Sequence, residues 1–234
     1  DLVKRLSQPN GWHRDTAQRL LFERQDKAAV PMLEKVLGGD NALAKLHAMN
    51  ALDSLGALTA AHVVSAAKDA DAQVREAAIR RVSMLDEAAL ASLAADASPR
   101  VRFQIALAAP KTASRDAWLA KMAREGVNGK WMSAAVLGDA GSGLFEQLRG
   151  DLSKLEPSFA ESLITLAAAE GKDAAALIAV VTTEPVKASW VKALGDGLRR
   201  AGSNFTKADN DGKLAAILAK ASETAANAQA STSS

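Results

Sequence analysis

The chain contains no cysteine and no tyrosine, and only three histidines in 234 residues. The missing cysteine excludes disulfides, thiolate metal sites, cysteine nucleophiles and attached c-type haem from this segment. It leaves the compartment open, because disulfide-free chains occur in all of them. Aromatic residues make up 4% of the sequence, and β-branched residues rarely alternate with polar ones, so the pattern of half-buried strands is missing. No apolar run approaches the roughly 18 residues a membrane span requires, and no signal peptide opens the sequence. Nor does one sign of charge prevail. The 29 Lys and Arg face 27 Asp and Glu, a formal net charge of +2, whereas a dedicated nucleic-acid binder concentrates a larger positive excess on one face.

What is present is aliphatic and small. Hydrophobic residues make up 48% of the chain, enough to bury a real core, and alanine recurs in runs such as "TLAAAEG" (Thr165–Gly171) and "AALIAVV" (Ala175–Val181). Small residues among good helix formers point to closely packed helices. The expected class is all-α.

A weak repeat organises the chain. Arg14 is followed three residues on by Ala17 and seven on by Leu21. The same frame recurs at Lys45, Arg75, Arg102 and Lys130, and with weaker identity at Phe159 and Lys187, at spacings of about 27 to 31 residues. A constant period of this size indicates a tandem array. Each unit reads as two helices, shown best by "TAAHVVSAAKD" (Thr59–Asp69), a short turn, and "QVREAAIRRVSML" (Gln73–Leu85). Thr59 and Asp71 are the expected N-caps. Pro31 and Pro99 fit first helical turns, Pro110 ends a helix, and Gly38 or Gly39 ends another. A helix pair cannot hide both its apolar stripes, so neighbouring pairs must stack.

Two-helix units of about thirty residues carrying "D-x-x-V-R-x-x-A" resemble the short bacterial HEAT-like repeats. Here that string is Asp71, Val74, Arg75 and Ala78, with "SPRVRFQIA" (Ser98–Ala106) as a variant. The resemblance runs from the first partial unit to about Leu218. The tail over 222–234 has no apolar stripe and reads as a frayed or disordered end, whereas the resemblance implies an α-solenoid, or α-α superhelix, of about seven helix pairs over residues 1–221. It also implies a ladder between units, formed by the turn Asp and the Arg of the second helix: Asp71 with Arg75, less well Ser98 with Arg102, fading after Lys130. Two stretches, "QPNGWHRDTAQRLLFERQDKAAVPML" (Gln8–Leu33) and "LAKLHAMNALDSLGAL" (Leu43–Leu58), resemble the repeat module of large membrane-bound dehydrogenase-like proteins of planctomycetes and verrucomicrobia. In those proteins a β-propeller precedes the array and a CxxCH cytochrome c module follows it. Neither is present here, so no dehydrogenase or electron-transfer chemistry transfers to any residue. The resemblance implies context only: a periplasmic or otherwise extracytoplasmic module of a larger protein. The opening "DLVKRLSQPNG", without an initiator Met, fits a piece of such a chain.

The busiest cluster, "NGWHRDTAQRLLFER" (Asn10–Arg24), falls in register as the second helix of the first unit, with Arg14 at the ladder position. Trp12 lies before the helix and Asp15 favours its dipole. Chemistry elsewhere is thin. His13, His47 and His62 lie on different helices and make no metal pair. "KADNDGKLAAIL" (Lys207–Leu218) lacks the first and last ligands of a calcium loop. "GDAGSGLFEQ" (Gly138–Gln147) lacks a preceding strand and a phosphate-binding Lys, and reads as a junction where Gly ends one helix and Ser142 caps the next. No serine sits in a nucleophile elbow. No catalytic residue, cofactor or metal is expected. The arginines Arg80, Arg81, Arg100, Arg102, Arg199 and Arg200 are candidates for a basic concave strip for nucleic acid, with Trp131, Trp190 and Asp196 in its groove, but Glu76 and Asp139 interrupt it. Trp118, Trp131 and Trp190 read instead as core wedges. The expected function is therefore a non-enzymatic protein-interaction scaffold or spacer, partnered by another protein or by neighbouring domains. Trp12, Arg14, Lys45, Arg75 and Arg102 are the candidate ladder or docking positions. The alternative is a nucleic-acid-binding HEAT-like protein.

Overall fold

The computed structural model describes residues 1–220 apart from Ala109, Lys111, Ala113, Asn128, Asp139, Ala140, Asp173 and Glu184. The segment 222–234, expected to be a disordered tail, lies outside the described residues. Among the described residues the chain is all-α, with no strand. It divides into two compact units, Asp1–Arg115 and Asp116–Ser234.

Unit 1 contains α1 (Leu2–Arg5), α2 (Gly11–Arg24), α3 (Val30–Leu37), α4 (Ala42–Ser54), α5 (Ala60–Ala66), α6 (Ala72–Ile79), α7 (Glu87–Ala94) and α8 (Pro99–Ala108). Helix α3 packs on α4, α5 on α6 and α7 on α8, while the second helices also touch in series: α2 with α4, α4 with α6, α6 with α8. The sequence frame explains this order. Arg14, Lys45, Arg75 and Arg102 are each the fourth residue of a second helix. The +3 residues Ala17, Ala48, Ala78 and Ile105 and the +7 residues Leu21 and Leu52 are all buried. The +7 residue after Arg75, Val82, is only partly buried, and the one after Arg102, Ala109, lies outside the described residues. Each fully buried Leu or Ile contributes about 1.5–3 kcal/mol, and the intervening alanines let helices approach closely.

Capping follows the sequence. The Thr59 hydroxyl accepts from the His62 amide while the His62 ring accepts from the Thr59 amide, a reciprocal box that closes α5. Asp71 accepts from the amides of Gln73 and Val74 to open α6. Pro31 and Pro99 sit in first turns, and Gly38 ends α3. The last helix of the clearest repeat is shorter than expected. It stops at Ile79 rather than Leu85, and a short 3₁₀ turn follows at Val82–Met84. Arg81 accounts for the break: its guanidinium donates to the free carbonyl of Ala77 and then reaches Asp53 and Asn50 on α4.

Unit 2 contains α9 (Arg115–Gly126), α10 (Lys130–Leu137), α11 (Ser142–Leu148), α12 (Pro157–Ala169), α13 (Ala174–Val181), α14 (Ala188–Arg200), α15 (Phe205–Ala208) and a helix over residues 213–220. Its centre is α12 against α14, with α10, α11 and α13 around α12. These two helices pack unusually close: a Cβ added to Gly197 would lie 2.4 Å from the Thr165 carbonyl and 2.5 Å from the Ala168 Cβ. The register also shifts. Lys130 opens α10, Phe159 is buried as the third residue of α12, and Lys187 precedes α14 as its N-cap.

Candidate functional site

Unit 1 holds a repeated arrangement of side chains along its second helices. Arg75 donates from Nε and Nη2 to both Asp96 oxygens, at 2.6 and 2.8 Å, and from Nη1 to the carbonyls of Asp69 and Ala70. Arg102 donates to the carbonyls of Asp96 and Ala97, and Arg14 to those of Gln8 and Pro9. Each guanidinium thus closes the turn of its own helix pair by taking the carbonyls six and five residues back. The forward reach ties one pair to the next. Lys45 on α4 binds Asp69 at 2.6 Å, as Arg75 on α6 binds Asp96. The pairs are largely buried, with side-chain exposures of 14% and 13% for Lys45–Asp69 and 16% and 8% for Arg75–Asp96.

The ladder expected between Asp71 and Arg75 is therefore formed by a different acid. Asp71 is committed to the first amides of α6, whereas Asp69 and Asp96, two residues before the cap, receive the cation and also accept from the amides of Asp71 and Ser98. Burial pushes the Asp96 carboxyl up, but the hydrogen bonds from Arg75 and Ser98 and the nearby Arg75 and Arg102 charges outweigh it, so it titrates below its ordinary value. Asp69 behaves alike, burial being outweighed by Lys45 and the Asp71 amide. The signal was present in the sequence: "DADAQVR" (Asp69–Arg75) and "DASPRVR" (Asp96–Arg102) share an Asp six residues before the Arg.

The first rung differs in kind. Arg14 Nε donates to His47 Nε2 at 3.2 Å, and His47 Nδ1 meets Gln18 Oε1 at 2.8 Å. An accepting Nε2 places the ring proton on Nδ1, where it donates to Gln18. Burial lowers the His47 pKa; the Asp15 carboxylate, 4.0 Å away, opposes this and the Arg14 charge reinforces it. Trp12 is the second residue of α2 rather than a residue before it. It is 67% exposed and stands edge-on to His13 at 5.1 Å. Asp15 is also exposed, so Trp12, His13 and Asp15 do not enclose a common space. Of the five candidate positions, Arg14, Lys45, Arg75 and Arg102 are engaged within unit 1 and Trp12 alone projects strongly into solvent.

Three further arginines of the basic strip are also engaged. Arg81 pairs with Asp53 at 2.8 Å, Arg100 with Glu76 at 3.1 Å, and Arg199 with Asp196. Asp139, named as interrupting the strip, lies outside the described residues. No group of three or more His, Asp or Glu that could hold a metal occurs among the described residues. The stretch 207–218 runs from the end of α15 through a short turn over 209–212 into the last helix, with Asp209 accepting from the Ala215 amide near that helix's start.

Two expectations fail in unit 2. Trp118 is buried as a core wedge, but Trp131 is 70% exposed, because Lys130 and Trp131 begin α10 and turn outward together, the ammonium 5.2 Å from the ring. Ser142 does not cap α11. It is the first residue of that helix, and Glu170 from the end of α12 accepts from both its amide and its hydroxyl. No helix of the described residues is long and apolar enough to cross a membrane. No family model matches the chain, and no match was found among curated proteins or solved structures.

Proposed function

We propose that the chain is a non-enzymatic scaffold or spacer for protein modules, built as an α-solenoid of about seven HEAT-like helix pairs. The observation that carries this reading is the buried bridging of successive pairs by Lys45–Asp69 and Arg75–Asp96. Each cation satisfies the turn of one pair or the acid of the next, so one pair cannot rotate against its neighbour without stranding a buried charge. Within unit 1 the bridged pairs keep a fixed spacing, suited to holding a partner or neighbouring domains at a set separation. Contacts of α2 with α4, α4 with α6 and α6 with α8 support this reading, as does the resemblance to HEAT-like units. By that resemblance alone, the setting is extracytoplasmic, within a larger dehydrogenase-like and cytochrome-bearing protein. The nucleic-acid alternative loses support from the pairing of Arg81, Arg100 and Arg199 with acids.

The absence of cysteine makes the test direct. Glu23→Cys and Ala91→Cys, both at exposed positions of unit 1, carry spin labels whose separation is read by pulsed dipolar spectroscopy. A single narrow distance distribution is expected. A broad or two-peaked distribution overturns the spacer reading, because a stack that flexes at its bridges sets no separation.

A further inference from the structure

The second helices of unit 2 differ from those of unit 1 in what they leave unspent. Two adjoining clefts, of about 500 Å³ and about 480 Å³, share Leu137, Ser158 and Ser162, and together they span α10, α12 and α14. Hydroxyls line them from all three helices: Ser133 from α10, Ser158, Ser162 and Thr165 from α12, Ser189 from α14. Charges stand among these hydroxyls. Lys192 and Arg200 make no side-chain hydrogen bond or ion pair among the described residues, and Lys130 contacts only the face of Trp131. Of the acids, Asp196 is matched by Arg199, while Glu156 accepts from neutral donors, the hydroxyl and amide of Ser158 among them, and keeps its charge. Glu161 is the other carboxylate of the lining. Lys130, Lys192 and Arg200 thus face the two carboxylate charges of Glu156 and Glu161. In unit 1 the cations at the fourth position of the second helices, Arg14, Lys45, Arg75 and Arg102, are consumed by internal carboxylates and carbonyls.

Small-molecule sites are enclosed and mostly apolar, whereas this groove is open and lined about equally by polar and apolar surface. A serine or threonine hydroxyl both donates and accepts, which matches the alternating N–H and C=O of an extended backbone. Uncommitted lysine and arginine at the same surface select acidic side chains. Lys192 and Arg200 are eight residues apart on α14, about 12 Å along its axis at the ordinary helical rise. An extended peptide covers that distance in about four residues. We infer that the groove across α10, α12 and α14 binds an extended acidic segment of a partner protein, with carboxylates about four residues apart meeting Lys192 and Arg200. This assignment rests on the scaffold reading and names its partner's chemistry.

The experiment is selection of random peptides of about 12 residues on the immobilised full chain, followed by fluorescence anisotropy. The probes are a labelled peptide of the same length with Glu at every fourth position, its Lys-for-Glu counterpart, and a labelled oligothymidylate. Selection is expected to enrich Asp and Glu, and the Glu peptide to bind at least about tenfold more tightly than the Lys peptide. The Lys192→Glu/Arg200→Glu variant should lose about tenfold or more in affinity, the milder Lys192→Gln a smaller factor, and Ser162→Trp should block the groove. Circular dichroism confirms that each variant retains its helix content. Equal binding of the Glu and Lys peptides, unchanged affinity in the variants, or tighter binding of oligothymidylate overturns the assignment. The spin-label distances in unit 1 separate the two failures: a narrow distribution with no acidic preference leaves the spacer standing and removes only the groove's role.

Discussion

Arg75→Ala removes one guanidinium and strands several partners at once. Asp96, 8% exposed, loses two short charge-assisted bonds and keeps the Ser98 amide. The carbonyls of Asp69 and Ala70 lose the donor that closes their turn. Breaking a fully buried pair from one side costs about 3–5 kcal/mol. Water entering the vacated space recovers part of this, leaving an expected loss of about 2–4 kcal/mol. Urea titration followed by far-ultraviolet circular dichroism measures the loss, and hydrogen exchange should localise it to α6 and α8. The double variant Arg75→Met/Asp96→Leu should be less destabilised than Arg75→Ala, because no charge is then left unpaired. The acid limb supplies an independent check. Asp96 titrates below its ordinary value in the folded chain, so its contribution is present above the unfolded value of about 3.9 and is lost as pH falls through the lower folded value. Arg75→Ala should flatten that limb. A loss under about 1 kcal/mol, the size of an exposed pair, would refute the view that these bridges lock one helix pair to the next.

Two further outcomes follow from single residues. Burial and Arg14 hold the His47 pKa below 6.5 against the opposing Asp15, so the unfolded chain takes up this proton first. Stability should be fully present above about pH 6.5 and decline as pH falls through the folded value; His47→Gln should remove that decline in unit 1, and an unchanged pH profile would show that the ring titrates normally. Gly197→Ala pits about 1 kcal/mol of helix propensity in its favour against a Cβ driven into the Thr165 carbonyl and Ala168. Overpacking of about 1–3 kcal/mol should win, so the variant's urea midpoint falls; a rise would mean that α12 and α14 separate at little cost.

The sequence was most readable where one physical requirement acts on every repeat. The buried residue three places after each anchor of unit 1, the caps at Thr59 and Asp71, and the prolines opening α3 and α8 all answer to local rules, and they stand where those rules place them. The ladder acid was misassigned because two aspartates in "DAD" compete for two roles. An Asp adjoining a helix start is drawn to the free amides, so the cation from the preceding pair takes the other one. Trp131 misled for a related reason: a large aromatic in an alanine-rich chain reads as a wedge, but its place at the first turn of α10, beside Lys130, turns it outward. The expected Ser142 cap failed because the carboxylate that serves α11 arrives from Glu170, 28 residues away, a distance no local pattern reports.

The contrast between the units follows from the same competition for partners. A cation on a second helix has two possible fates in such a stack. It can be consumed by the turn carbonyls and the acid of the adjoining pair, which stabilises the array and leaves no charge for a ligand. Or it can lack that acid and remain at the surface. In unit 1, Asp69 and Asp96 stand six residues before an Arg, and Lys45 and Arg75 are consumed. In unit 2 the frame slips: Phe159 takes the anchor position and is buried, while Lys187 falls outside its helix and stacks on Trp190 at 4.4 Å. Lys192 and Arg200 of α14 then have no acid in register and stay uncommitted beside a hydroxyl-lined groove, while Arg199 pairs with Asp196. Loss of the repeat frame and gain of a binding surface are, on this argument, one event. Placing an acid within reach of Lys192 and Arg200 should therefore tighten unit 2 and weaken its hold on acidic peptide together.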